Sequence, residues 1–225
     1  MQGRVPVGAI GLDDVHAGIE RHYTACIRAH GPTPRGVDWE SLATQQMRMV
    51  QLLKVCDWSR PLTLNDLGCG YGALLALLDA RHRSTPVDYL GVDLSAPMVA
   101  AARRRWKNRP ATEFVVGSES PRVADYSVAS GVFNVKLDLP MARWEHFVVH
   151  TLQHLHATSR HGFAVNFLSR LAPGAEVSPA LYCTEPGRWI GFCQATLGAR
   201  AECVTPYGMR EFTLLVRPSS FRPQR

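Results

Sequence analysis

No two of the six cysteines form a C-x-x-C pair: Cys26, Cys56, Cys69, Cys183, Cys193 and Cys203 are scattered, and Cys69 sits inside a glycine turn. A disulfide there would distort a ligand loop, so reduced thiols are expected. No apolar run approaches the roughly 20 residues of a membrane span, and there is no internal repeat or low-complexity tract. Met1–Ile10 is too short in its apolar part and lacks a processing site, which predicts no signal peptide and, by default, a cytoplasmic protein. Lysine is scarce, since 22 of the 25 basic residues are arginine. The net charge of +6 permits an acidic partner without requiring one. The densest basic cluster, Arg103-Arg104-Arg105-Trp106-Lys107, reads as the solvated last turn of a helix, where cations suit the helix dipole. At 225 residues, 46% apolar and 20% charged, the chain suits one soluble globular domain with a full core.

What is present is a strand, a tight turn and a helix: Leu62 to Leu67, then Gly68-Cys69-Gly70-Tyr71-Gly72, then Ala73-Leu74-Leu75-Ala76-Leu77-Leu78. Glycine in such a turn accepts positive φ and lets a ligand lie against the backbone. Helices are predicted over 12–30 and 41–56, the second with Ser41 as N-cap and Leu42, Met47, Val50, Leu52 and Leu53 as its apolar face. The proline-rich stretch 31–36 must separate them. Further strands are predicted at 87–92, 113–116, 125–130 and 162–168, with helices at 72–80, 96–106 and 141–156. That alternation indicates a parallel sheet covered on both faces. A helix at 189–197 precedes strands 201–204 and 212–216, an antiparallel hairpin at a sheet edge.

The glycine turn has two readings. Gly68-x-Gly70-x-x-Ala73 with Asp93 approximates a dinucleotide fingerprint. Asp66, at the end of the first strand, would repel a pyrophosphate and attract an ammonium or sulfonium group. The cation is the better fit.

With Asp66-Leu67-Gly68-Cys69-Gly70-Tyr71-Gly72 and Leu90-Gly91-Val92-Asp93-Leu94-Ser95-Ala96-Pro97-Met98, the chain resembles the class I S-adenosylmethionine-dependent methyltransferase family over roughly residues 60–217. The resemblance implies an α/β, Rossmann-like seven-stranded sheet in the order 3-2-1-4-5-7-6 with strand 7 antiparallel. Residues 1–58 would form an N-terminal helical lid, 59–217 the S-adenosyl-L-methionine-binding domain, and 218–225 a flexible tail. It further implies that Asp66, Gly68, Gly70 and Gly72 meet the methionine moiety, that Asp93 accepts the ribose hydroxyls, and that Leu94 and Met98 enclose the adenine. Ser118 or Glu119 could take the adenine amino group, unless that stretch is a plain surface loop. Ser130, Phe133 and Asn134, at the end of the fourth strand, would face the reacting end of the cofactor. The family's acidic-Pro-Pro-aromatic sequence for amino acceptors is replaced there by Ser130-Gly131-Val132-Phe133-Asn134, which weakens a nucleic-acid or glutamine acceptor.

Asn166 is another polar group at the same edge, or a bridge between loops. Tyr23, Trp39 and Tyr182 are candidates to wall the pocket or to pack elsewhere. His146, His150 and His154 share a helix face without an accompanying carboxylate, so they read as exposed histidines, and no metal is expected. The expected activity is methyl transfer to a small-molecule O or N nucleophile by in-line displacement. One alternative is cyclisation of S-adenosylmethionine to azetidine-2-carboxylate with release of methylthioadenosine, a reaction of natural-product pathways (secondary metabolism), using Ser130, Asn134 and Tyr182. The others are an RNA methyltransferase and a non-catalytic binding module. Expected partners are a small-molecule substrate and at most a second copy, as monomer or homodimer, with neither membrane nor nucleic acid.

Overall fold

The computed structural model describes residues 11–170, 178–205 and 207–219. Eight strands form one sheet: β1 Leu62–Leu67, β2 Val87–Asp93, β3 Thr112–Val116, β4 Ala124–Ala129, β5 Ser159–Ser169, β6 Cys183–Thr184, β7 Ala199–Val204 and β8 Glu211–Pro218. Their order is β3-β2-β1-β4-β5-β8-β7, with the two-residue β6 pairing in parallel with the end of β5. β1 to β5 are mutually parallel, and β8 runs antiparallel to both β5 and β7. This is the expected order, with the short β6 as an addition. β8 continues through Pro218, so the strand overlaps the start of the expected tail; residues 220–225 lie outside the described residues. No helix among the described residues is long and apolar enough to cross a membrane.

Among the described residues six α-helices cover the sheet: α1 Asp13–His30, α2 Leu42–Leu52, α3 Ala73–Arg81, α4 Ala96–Arg105, α5 Met141–Ala157 and α6 Pro186–Ala195. Two apolar layers result, because alternate strand residues face opposite sides. Phe163, Val165 and Phe167 of β5 join α1, α5 and α6 in one layer. Ala164 joins α2, α3 and α4 in the other. α1 ends at Gly31 (φ 63°), and a 3-10 turn Pro34–Val37 follows.

α2 differs from its expected pattern. Ser41 does cap it, its hydroxyl accepting from Thr44 N at 3.2 Å. Yet Leu42 and Met47 are exposed, and the buried face is Gln45, Arg48, Met49, Gln51 and Leu52. Gln45 and Arg48 are tolerated there because each meets a partner, while Gln51 Oε1 is buried without one among the described residues. Tyr71 Oη donates to Gln45 Oε1 at 3.1 Å, and Arg48 Nε lies 2.8 and 2.7 Å from the two carboxylate oxygens of Glu211 on β8. Asn166 on β5 extends this network, donating to Glu211 Oε2 at 3.1 Å and accepting from Gly131 N at 2.7 Å. Asn166 therefore bridges β8 to the loop after β4.

Glu211→Ala leaves the buried Arg48 without its carboxylate and should cost about 3–5 kcal/mol, whereas the double replacement Arg48→Met/Glu211→Leu should recover most of it. Urea unfolding of the three proteins measures both values.

Candidate functional site

A cavity opens at the carboxyl ends of the parallel strands, where ligands of doubly wound sheets bind. Its floor is Asp66 and Leu67 from the end of β1, Gly68 to Tyr71 of the glycine turn, and Asp93 and Leu94 from the end of β2. Ser118 follows β3 and Ser130 to Val132 follow β4. The opposite wall comes from the N-terminal segment: His16, Ile19, Glu20 and Tyr23 on α1, then Val37 and Trp39, then Gln45, Met49 and Leu52 on α2. Phe147 and Thr151 of α5 close one side.

The backbone of the turn is set by glycine. Gly68, Gly70 and Gly72 have φ of 74°, 54° and 76°, a region that disfavours a side chain. Gly72 faces away from the cavity, since a Cβ on it would stand 2.8 Å from Trp106 Nε1, and Trp106 donates to the Gly72 carbonyl at 2.9 Å. Its task is close packing of the turn against α4. Gly131 (φ 75°) performs a similar service for the wall, because a Cβ there would lie 2.5 Å from Trp39 Cζ2.

The charge of the site lies in two carboxylates. Asp66 is 3% exposed, and its Oδ2 accepts from Tyr89 Oη at 2.6 Å. Burial raises its pKa to about 7, the tyrosine hydrogen bond opposing and nearby Asp93 adding to the rise. Asp93 uses Oδ2 to accept from Gly70 N at 2.8 Å and Oδ1 to accept from Ser95 N at 2.9 Å. Burial still lifts it to about 6 against those two bonds. Neither has an ion-pair partner among the described residues. Two desolvated carboxylates without a cation make a cavity that favours a positively charged ligand.

Of the residues expected at the site, the structure gathers Asp66, Gly68, Gly70, Asp93, Leu94, Met98, Ser118 and Ser130 around one cavity, with Tyr23 and Trp39 in its wall. Ser130 Oγ is buried there without a hydrogen-bond partner among the described residues. Met98, 1% exposed, also packs with Ile27, Tyr71 and Ala101.

Gly72, Glu119, Phe133, Asn134 and Tyr182 are placed elsewhere. Glu119 is turned to α5, its oxygens 3.7 Å from His150 Nε2 and 3.8 Å from His154 Nδ1. His154 also accepts from Ser120 N at 2.8 Å. The histidine face therefore does have a carboxylate, and His150 and His154 are half-buried contacts of the loop after β3, with His146 exposed. Phe133 is stacked on Phe167 in the core, with ring centroids 4.9 Å apart. Asn134 O accepts from Tyr182 N at 2.8 Å, and Val135 bridges Leu181, an antiparallel contact that draws both segments into the core. Tyr182, 1% exposed, belongs to that core and lies 3.4 Å from Glu145. Two of the three residues behind the cyclisation alternative are thus outside the cavity lining.

Tyr89, His16 and Glu20 carry no sequence signal for the site. Tyr89 reaches Asp66 because β1 and β2 pair Leu64 with Tyr89, which puts the tyrosine on the face of the residue two places further along β1. That register has no local signature. His16 and Glu20 are one helical turn apart on α1, a spacing that places both on one face. No motif marks them.

The sheet, the glycine turn and the paired carboxylates define a protein of the Rossmann-like α/β class whose cavity favours a cationic ligand. Residues 65–174 match the family described as "Methyltransferase domain". The chain is 39% identical over 168 residues to "Putative methyltransferase Rv1506c" of Mycobacterium tuberculosis (strain ATCC 25618 / H37Rv), covering 75% of this chain and all of that relative. Among solved structures, human N-acetylserotonin methyltransferase in complex with SAM aligns at a TM-score of 0.60 and 18% identity, over 93% of this chain and 62% of that one. Magnesium protoporphyrin IX methyltransferase from Synechocystis PCC 6803 with bound SAM aligns at 0.52 and 14%, over 97% and 87%. The chain belongs to the class I S-adenosylmethionine-dependent methyltransferase family.

Asp66 titrates higher folded, at about 7, than its ordinary 3.8, so the folded chain holds the extra proton between those values. The ligand-free protein then loses stability from this group as pH rises from 4 to 7. Asp66→Asn should remove that loss, leaving the two proteins alike near pH 4 and the variant more stable at pH 8 by up to about 4 kcal/mol, at about 1.4 kcal/mol per unit. Denaturant unfolding across pH checks it.

Proposed function

We propose that the chain transfers a methyl group from S-adenosylmethionine to an O–H or N–H nucleophile of a small molecule. The observation that carries this reading is the cavity itself: a cofactor floor faced, within one enclosure, by a wall carrying His16 and Glu20. The residues present suit the cofactor. Asp66 offers a carboxylate to its ammonium, Asp93 retains acceptor capacity for ribose hydroxyls beyond its two backbone bonds, and Leu94 and Met98 offer apolar surface for the adenine. Ser130 offers a free hydroxyl at the end of β4. When bound, S-adenosylmethionine supplies an electrophilic methyl on a sulfonium, so the protein's work is alignment and exclusion of water.

On this reading α1 with residues 34–39 is the lid, and residues 59–217 are the cofactor domain. α2 is shared, since Met49 and Leu52 also belong to the sheet's core layer. Burial lowers the pKa of His16, more than nearby Asp13 and Glu119 raise it, with His150 adding to the fall. The shift favours the neutral imidazole, the form that a proton acceptor for the attacking group needs. Apolar neighbours Ile19, Trp39, Met49 and Phe147 favour an acceptor with a hydrophobic or aromatic body. Small-molecule acceptors appear in the names of the similar structures, N-acetylserotonin and magnesium protoporphyrin IX among them.

The test is incubation of the purified chain with S-adenosylmethionine and a panel of phenols, alcohols and amines, followed by mass spectrometry. Acceptor-dependent S-adenosylhomocysteine is expected. His16→Ala should lower kcat about 10²-fold or more while cofactor affinity stays near the parent's. Methylthioadenosine formed without any acceptor, or unchanged kcat in the variant, would contradict the proposal.

A further inference from the structure

On the outer side of the N-terminal wall, three side chains of different chemistry converge. His22 and Cys26 are one helical turn apart on α1, which places them on one face. Asp38 reaches them from the end of the Pro34–Val37 turn. It does so in a left-handed conformation (φ 58°) that is uncommon for a side-chain-bearing residue. Bonds from Asp38 N to Arg35 O (3.2 Å) and from Trp39 N to Pro34 O (2.9 Å) hold it there.

Cys26 Sγ lies 3.8 Å from His22 Nε2 and 3.4 Å from Asp38 Oδ1, and His22 Nε2 is in hydrogen-bond contact with Asp38 Oδ2. All three ligand atoms fall within 4.8 Å of one another. A Cys-His-Asp relay would use the two imidazole nitrogens separately, one for the thiol and one for the carboxylate. Here a single nitrogen, Nε2, faces both partners, so relay geometry is absent and the atoms point at a common centre. Tetrahedral zinc, with Zn–S of about 2.3 Å and Zn–N or Zn–O of about 2.0 Å, sets sulfur about 3.5 Å from a nitrogen or oxygen ligand. The 3.8 Å from Cys26 Sγ to His22 Nε2 and the 3.4 Å to Asp38 Oδ1 lie on either side of that value.

We propose that His22, Cys26 and Asp38 bind a divalent zinc-type cation, with solvent completing the tetrahedron. The donor set of one imidazole, one thiolate and one carboxylate suits Zn²⁺ better than oxygen-seeking Mg²⁺ or Ca²⁺. Binding releases the thiol proton to solvent and parts the His22–Asp38 hydrogen bond to admit the ion. The cation then joins α1, which carries His16, Ile19 and Glu20, to the segment that carries Val37 and Trp39, so one ion braces two parts of the cavity wall. The site is independent of the methyl-transfer reading, and it lies away from the histidine face of α5.

Tag-free, reduced full-length protein titrated with Co²⁺ should develop tetrahedral d–d absorption and a thiolate-to-cobalt charge-transfer band, saturating at one equivalent and displaced by Zn²⁺. Cys26→Ser should lose the charge-transfer band. His22→Ala and Asp38→Asn should each weaken Zn²⁺ at least about tenfold against a chromophoric chelator. Cys203→Ser, altering a thiol on β7, should match the parent. Zn²⁺ should raise the melting temperature of the parent and not of Cys26→Ser. Failure of the parent to show the band, or a band retained in Cys26→Ser, would overturn the site.

Discussion

Everything at the cofactor edge depends on two carboxylates held out of water with no cation beside them among the described residues. Asp66 and Asp93 end adjacent parallel strands, and burial lifts them to about 7 and about 6. A carboxylate in that state is an unfavourable folded-state group that a bound cation turns favourable. Hydrogen bonds stabilise their geometry: Tyr89 Oη on Asp66, and the Gly70 and Ser95 amides on Asp93. The glycine turn follows from this need. Its positive-φ residues bring Gly70 N to Asp93 while Gly72 lets Trp106 lock the turn's rear.

A second polar network fixes the wall opposite. The Arg48 guanidinium carbon lies 3.9 Å from the centre of the Trp39 ring, a favourable cation–π arrangement. Arg48 also binds Glu211, Glu211 accepts from Asn166, and Asn166 accepts from the amide of Gly131. Gly131 in turn leaves space for Trp39. The circuit links α2, β8, β5 and the loop after β4, so the indole of the wall and the floor at Ser130 are positioned by the same set of bonds. Thr24 Oγ1 to Ser95 Oγ, 2.7 Å, is the corresponding tie between α1 and the start of α4.

The fold was legible in the sequence because its signals are local. β1, the glycine turn and α3 are contiguous, Asp93 and Met98 flank one helix start, and the terminal hairpin is two strands joined by a short connection. What was not legible rests on distant pairing. Arg48 and Glu211 are 163 positions apart, so α2 looked like an ordinary apolar helix when its buried face is half polar. Tyr89 needs the β1–β2 register. Strand position puts Asn134 at the site and Tyr182 reads as an aromatic for the pocket wall, whereas the Val135–Leu181 bridge carries both into the core. Ser118 and Glu119 are equivalent candidates for the adenine in the sequence, whereas the histidines of α5 draw Glu119 outward. The His22, Cys26 and Asp38 cluster was invisible for a related reason: its third member arrives only when the loop after α1 folds back.

The central claim is that an ionised Asp66 makes the cavity a cation site for S-adenosylmethionine. Isothermal titration of the cofactor into the parent and into Asp66→Asn at pH 5.5, 6.25 and 7 tests it directly. A group titrating near 7 predicts that parent affinity rises at least about tenfold over that interval, as the ionised fraction grows, while the variant binds weakly with little pH dependence. A flat profile in the parent, or an equal rise in the variant, would contradict the account.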